Sequence, residues 1–311
     1  MNKYESDTLS KHIIQTLLYF DIFNYPLASD EVYEFLQTNH ITQQAINERL
    51  HQLVTEKLTY SFGQFFTLQN DKTLIERRIR GNKEAMRYMI IAHKQAAFIN
   101  KFPFVKSVMA SGSLSKGYMD ESCDLDFFIV TKSQRLWITR TLLVLYKRIF
   151  LGNSHKYFCV NYFVDEANLE IEEKNLYTAI ELSTLIPLVG FESYKKLMAA
   201  NPWTMEYLPN STIKIEGLEE KYHTTILKNV VEGILNLFFP RILNSFFMRL
   251  TLRRWKLLYE NLYEKEDFKI AFKSKANVSK NHPNYYQKKV MCLYHKKRKD
   301  FSNRYNLNWD V

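Results

Sequence analysis

The chain has 311 residues, 46% of them hydrophobic and 15% aromatic, with only 8 glycines and 7 prolines. That composition excludes a disordered or fibrous chain and leaves room for two or three domains, each with its own core. The formal charge of +10 is unevenly spread: residues 1–72 carry five Lys or Arg against nine Asp or Glu, and residues 241–311 carry seventeen against six.

Cys123, Cys159 and Cys292 are odd in number, dispersed and without metal-ligand spacing. They read as small core residues in a reducing compartment, which predicts a cytoplasmic protein. The opening residues are polar and of mixed charge and predict no signal peptide.

The first 72 residues have the organisation of a winged helix. Helices are expected from Ser10 to about Phe23, from Asp30 to Leu36 with Ser29 as cap, and from Gln43 to Lys57 with Thr42 as cap. Leu58–Phe62 and Phe65–Leu68, joined through Gly63-Gln64, form the expected hairpin. The third helix offers only Arg49 and Lys57 beside Glu48 and Glu56, the wrong charge for a duplex binder. Protein contact or intramolecular docking fits this unit better than DNA.

A long helix from Asp71 to Asn100 leads into the most informative segment. Phe104–Ala110 reads as a buried strand, followed by the turn Ser111-Gly112-Ser113-Leu114-Ser115-Lys116-Gly117, and a second strand runs through Leu125–Val130. Side chains alternate along a strand, so Asp124 and Asp126 would leave one face about 7 Å apart. Two carboxylates so placed repel each other unless a hard divalent cation, Mg2+ or Mn2+, lies between them. Gly112 lets the backbone approach a ligand closely, Ser113 and Ser115 offer hydroxyls and amides to phosphate oxygens, and Lys116 adds a positive charge.

Gly112-Ser113 followed by Asp124-x-Asp126 within an apolar strand resembles the signature of the nucleotidyltransferase superfamily with the DNA polymerase beta-like palm. The resemblance covers residues 104–131 strictly and 95–200 loosely. It implies an α+β fold with a palm at 73–175, between the winged helix at 1–72 and a basic helical domain at 176–311. It also implies metal-dependent transfer of a nucleoside monophosphate from an NTP to an acceptor, with release of pyrophosphate. The acceptor, whether small molecule, protein or RNA, is left open.

The family pattern includes a third carboxylate on a neighbouring strand, and here the chain departs from it. After a helix from Ser133 to Phe150, the strand Tyr157–Val164 carries Asn161 at its centre, which could ligate the metal but cannot act as a base. Asp165 shares the alternation of Asn161, and Glu170 and Glu172 share a face if that segment is extended. Any of the three would complete the enzyme. With Asn161 alone, the alternative is a catalytically weak or inactive nucleotide-binding regulator whose winged helix mediates protein or DNA contacts.

Further on, Leu176–Val189 reads as a helix running into a turn at Pro187, residues 193–200 as another, and helical periodicity dominates Leu218–Tyr263. The apolar stretch Ile234–Met248 is interrupted by Pro240 and Arg241, short of the roughly 20 apolar residues that span a bilayer. It reads as two core helices, with peripheral membrane contact as the other reading because Arg249, Arg253, Arg254 and Lys256 follow. The C-terminal stretch interleaves lysines with Tyr285, Tyr286 and Tyr294, a mixture suited to phosphates and bases. The loop Ser279–Pro283 is expected near the substrate. The competing reading is a solvated basic helix around Gln287–Phe301, buried on Val290, Leu293 and Tyr294.

Overall fold

The structure, a computed structural model, describes residues 3–212, 225–237, 240–262, 272–281, 286–305 and 307. The N-terminal part comprises α1 (Lys3–Asp21), β1 (Leu27–Ala28), α2 (Ser29–Glu34), α3 (Gln43–Thr55), β2 (Tyr60–Phe62) and β3 (Phe65–Thr67), its strands forming an antiparallel sheet in the order β1-β3-β2. Thr42 caps α3 as expected, accepting from Ala45 N at 3.2 Å. Ser29 is not the cap of α2. Ala28 is already paired with Phe65, so the helix boundary moves to it, and its amide donates to Glu31 Oε2 at 2.8 Å.

The long helix α4 (Thr73–Ile99) joins this part to a six-stranded mixed sheet. The strands are β4 (Val105–Ser111), β5 (Asp126–Thr131), β6 (Cys159–Asp165), β7 (Ile186–Val189), β8 (Ser274–Lys275) and β9 (Val278–Lys280), in the order β7-β4-β5-β6-β9-β8. Only β5 and β6 run parallel, and α6 (Leu136–Phe150) makes that crossover. The apolar run in β5 has a simple origin, because both faces of the strand are covered. Phe127 and Ile129 enter a core shared with α4 and α6, while Phe128 and Val130 enter a second core built with the N-terminal helices.

Three expectations are corrected. Leu176–Val189 is not one helix: α7 (Leu176–Ser183) ends early, and Pro187 lies in β7, at the edge of the sheet where its missing N–H is tolerated. The basic C-terminal part is not wholly helical, since β8 and β9 extend the sheet beyond β6. Ser279 and Lys280 therefore belong to a strand; His282, Pro283 and Tyr285 lie outside the described residues, as do residues 218–224 of the expected helical stretch.

The remaining helices are α8 (Phe191–Ala199), α9 (Thr204–Tyr207), α10 (Ile226–Leu237), α11 (Pro240–Tyr259) and α12 (Tyr286–Arg304). Helix α12 buries Val290 and Tyr294 as expected but leaves Leu293 exposed. It lies against α1: Tyr294 meets Tyr19 edge-on at 5.8 Å, and Lys297 pairs with Asp21. Part of the C-terminal positive charge is thus spent on the acidic N-terminal part of the same chain. No single helix is long and apolar enough to cross a membrane among the described residues.

Candidate functional site

One end of the large sheet gathers the chemistry. It holds the C-terminal ends of β4 and β9 and the N-terminal ends of β5, β6 and β7. Ser111 closes β4 opposite Asp126, which opens β5, and the chain turns at once into the single helical turn α5 (Gly112–Ser115). Gly112 sits at φ +64, a left-handed conformation that favours glycine. A methyl group there would lie 2.6 Å from Asp126 Oδ2, so the absence of a side chain is what lets the turn rest against the carboxylate.

Asp126 is held from two sides. Asn161 donates its amide to Asp126 Oδ1 at 2.8 Å. It can do so because β6 bulges there: Phe127 pairs with Val160 and Phe128 with Tyr162, leaving Asn161 as the extra residue, re-aimed toward the site. Burial raises the Asp126 carboxyl to about 6, Asp124 and Glu181 adding to the effect while Cys159 and Lys116 oppose it. Asp124 lies just before the strand and not within it, among half-buried loop residues.

The turn is braced from behind. Tyr25 Oη donates to Lys116 O at 2.6 Å, Asn82 on α4 donates to Gly117 O, and Gly81 lets Tyr118 pack flat against α4. Arg77 adds bonds to Phe23 O and Asn24 O and an ion pair with Asp120. The N-terminal part therefore docks on the turn itself, through α4.

The other expected residues of the turn have distinct places. Ser113 is half-buried beside Cys123, and Ser111 ahead of it makes no side-chain cap. Ser115 is buried; its hydroxyl donates to Gly112 O at 2.9 Å and meets Thr184 Oγ1 at 3.3 Å, so it holds the turn together and does not face a ligand. Lys116 reaches Gly112 O at 3.1 Å and pairs with Glu181 at 2.9 Å.

Asp165, Glu170 and Glu172 are engaged elsewhere. Asp165 shares the alternation of Asn161 but closes β6 opposite Thr131, about 13 Å further along at the usual strand rise. It is buried, accepting from Gln134 N at 2.6 Å and Ala167 N at 2.9 Å. Glu170 and Glu172 lie outside any strand, paired with Lys174 and with Lys273 and Lys275.

The carboxylate that does approach is Glu181, on α7, which in the sequence is one polar residue of an ordinary helix. Its charge acts on Asp126, Lys280, Tyr177 and Tyr286. Also unforeseen are Lys147 and His155, whose side chains meet at 3.3 Å beside Cys159. Burial lowers the pKa of both, with Asp124 opposing the shift. Burial pushes the Cys159 thiol well above its usual range, the charge of Asp126 adding to it. On β9, Lys280 pairs across from Tyr162, and the Asn281 amide donates to Asn161 O at 2.9 Å, which brings the expected Ser279–Asn281 segment beside the site.

Among the described residues no three His, Cys, Asp or Glu side chains converge as a complete metal cage. Two carboxylates nonetheless make a donor set of the kind that hard divalent ions take, and the raised Asp126 carboxyl marks a place where added positive charge is favourable. Replacing Gly112 by Ala should therefore strain the turn and displace the Asp126 carboxylate. The expected result is a melting temperature lower by several degrees, read by circular dichroism.

Compared with protein-family models, with curated proteins and with solved structures, the chain matches none.

Proposed function

We propose that the chain is a metal-dependent nucleotidyltransferase with a polymerase beta-like palm, preceded by a winged helix that docks on the palm. The observation that carries this reading is the contact of Gly112 with Asp126 while Asn161 holds the same carboxylate from a bulge. A glycine at positive φ suits any tight turn; what singles this one out is that it rests against the buried carboxylate that Asn161 also holds. Three helices followed by a hairpin support the winged-helix assignment for residues 1–72.

In this reading Asp124 and Asp126 hold Mg2+ or Mn2+, and the backbone amides of Gly112 and Ser113 meet phosphate oxygens. The ion, when bound, supplies charge neutralisation for the phosphates and the leaving pyrophosphate. Asn161 keeps Asp126 oriented. Tyr286, partly exposed and packed near Tyr177 and Phe23, offers an aromatic face to a base. Glu181 takes the place of the third carboxylate, accepting the proton of an acceptor hydroxyl as the oxygen–phosphorus bond forms.

A second reading, a nucleotide sensor without turnover, is favoured by the pairing of Glu181 with Lys116, which occupies the base. Incubation with each labelled NTP and Mg2+ or Mn2+, alone and with cell extract, separates the two. Transfer by the wild type and its loss in Asp124→Ala plus Asp126→Ala supports the enzyme; nucleotide binding without transfer supports the sensor. Label transfer that survives both substitutions, or no nucleotide binding at all, overturns the site.

A further inference from the structure

Helices α10 and α11 were expected to be core helices; Phe247, Met248, Trp255 and Tyr259 of α11 do pack on the core, but both helices turn an apolar face outward. In α10 it is the charged side that meets the protein. Lys228 is buried, donating to Asn100 O at 2.9 Å and Val105 O at 2.8 Å, and Glu232 accepts from Phe104 N at 2.7 Å. Ile226, Leu227, Val230, Ile234 and Leu237 are each half-exposed or more. At the helical rotation per residue these five fall within an arc of about 100°, opposite Lys228 and Glu232.

Helix α11 also carries an outward apolar stripe, although its inward side is largely apolar too. Its inward side is fixed: Asn244 accepts from Trp137 N at 2.8 Å at the start of α6, and Trp255 is buried beside Trp137, with the Arg140 guanidinium 4.7 Å from its ring. Its outward side carries Ile242, Phe246, Leu250 and Leu257, all more than half exposed. Exposed Arg249 and Lys256 flank that stripe, exposed Arg253 falls within it, and α11 contains no acidic residue.

We propose that α10 and α11 seat the protein on an anionic membrane surface, their outward apolar faces entering the headgroup boundary while the arginines meet lipid phosphates. An exposed apolar face of this length marks a binding surface, and the arginines and lysine on and beside it select an acidic partner. The two helices meet at 92° and do not form one continuous span. A second copy of the chain would bring the same arginines face to face, and a nucleic acid would use the arginines but leave the leucines in water.

The test uses the whole 311-residue chain in vesicle co-sedimentation. Vesicles of phosphatidylcholine alone are compared with vesicles containing roughly a third phosphatidylserine. Binding at least tenfold tighter to the anionic vesicles is expected. Phe246→Asp with Leu250→Asp should abolish it with the circular-dichroism melt unchanged, and Arg249→Glu with Arg253→Glu should weaken it about tenfold. If the first pair fails to fold, Ile234→Asp on α10 provides the same test. Wild-type protein that stays in the supernatant with both vesicles overturns the proposal. So does sedimentation that survives the loss of the apolar residues, or a dimer that these substitutions dissociate without any vesicle binding.

Discussion

Exchanging Asp126 for Asn is expected to raise the melting temperature at neutral pH in a chelating buffer while abolishing divalent-ion-dependent nucleotide binding. The carboxyl is raised to about 6 chiefly by burial, then by the charges of Asp124 and Glu181. A pKa raised by folding means that the protonated form is the one the fold favours. Its contribution to stability is complete below the ordinary carboxylate range, falls as pH rises from about 4 to about 6, and is gone at pH 7. A shift of this size corresponds to about 2 kcal/mol after allowance for partial solvent access, or several degrees in melting temperature. The amide introduced by Asp126→Asn would retain the partnership with Asn161 without the charge. Addition of Mg2+ should stabilise the wild type, increasingly so as pH rises through 6, and leave the variant unchanged. A variant less stable than wild type in chelator would mean that Asp126 is a structural ion-pair partner and not a ligand held at a cost.

The motif was legible because its information is local. A glycine and serine after one strand and two carboxylates at the next need only that the strands pair, and their registers bring Ser111 opposite Asp126. The family pattern's third position pointed to Asn161, which does hold Asp126, but the sequence carries no sign of the bulge that aims it. Alternation offered Asp165 as a candidate, but it reports only a face, and Asp165 is a strand-end carboxylate at the far end of that face. Glu181 was not legible at all, because it arrives from a helix whose placement depends on β7 pairing with β4, and Pro187 argued against that strand. Helices α10 and α11 show another limit. Periodicity finds an apolar stripe but does not say which side meets the protein, and here buried hydrogen bonds from Lys228 and Asn244 decide it. The winged-helix expectation of a docking role rests on observable contacts, since Tyr25 reaches the motif turn and Arg78 pairs with Glu31 while stacking 3.8 Å from the Tyr25 ring.

Glu181→Gln is expected to lower the turnover number of nucleotide transfer by about a hundredfold or more, the usual size of a lost general base, with nucleotide affinity unchanged or higher. The two effects separate because Glu181 plays two parts. In the proposed enzyme it would serve the acceptor as a base, so its loss would fall on the chemical step. As the partner of Lys116 it holds that ammonium 2.9 Å from its own carboxylate and away from a phosphate. Glutamine keeps the shape but gives up both the proton acceptor and the ion pair, which frees Lys116 for the triphosphate. Removal of this charge should also lower the pKa of Asp126, since Glu181 contributes to raising it, and the pH at which Mn2+ affinity reaches its plateau should move down with it. That second readout distinguishes a carboxylate beside the ion site from one that merely supports the helix. Transfer at the wild-type rate in Glu181→Gln would remove it from the chemistry, and an unmoved pH profile would remove it from the site. A profile that moves in a protein with no transfer to lose would leave the sensor reading, in which Lys116 and Glu181 report occupancy of the turn to the N-terminal part through Tyr25.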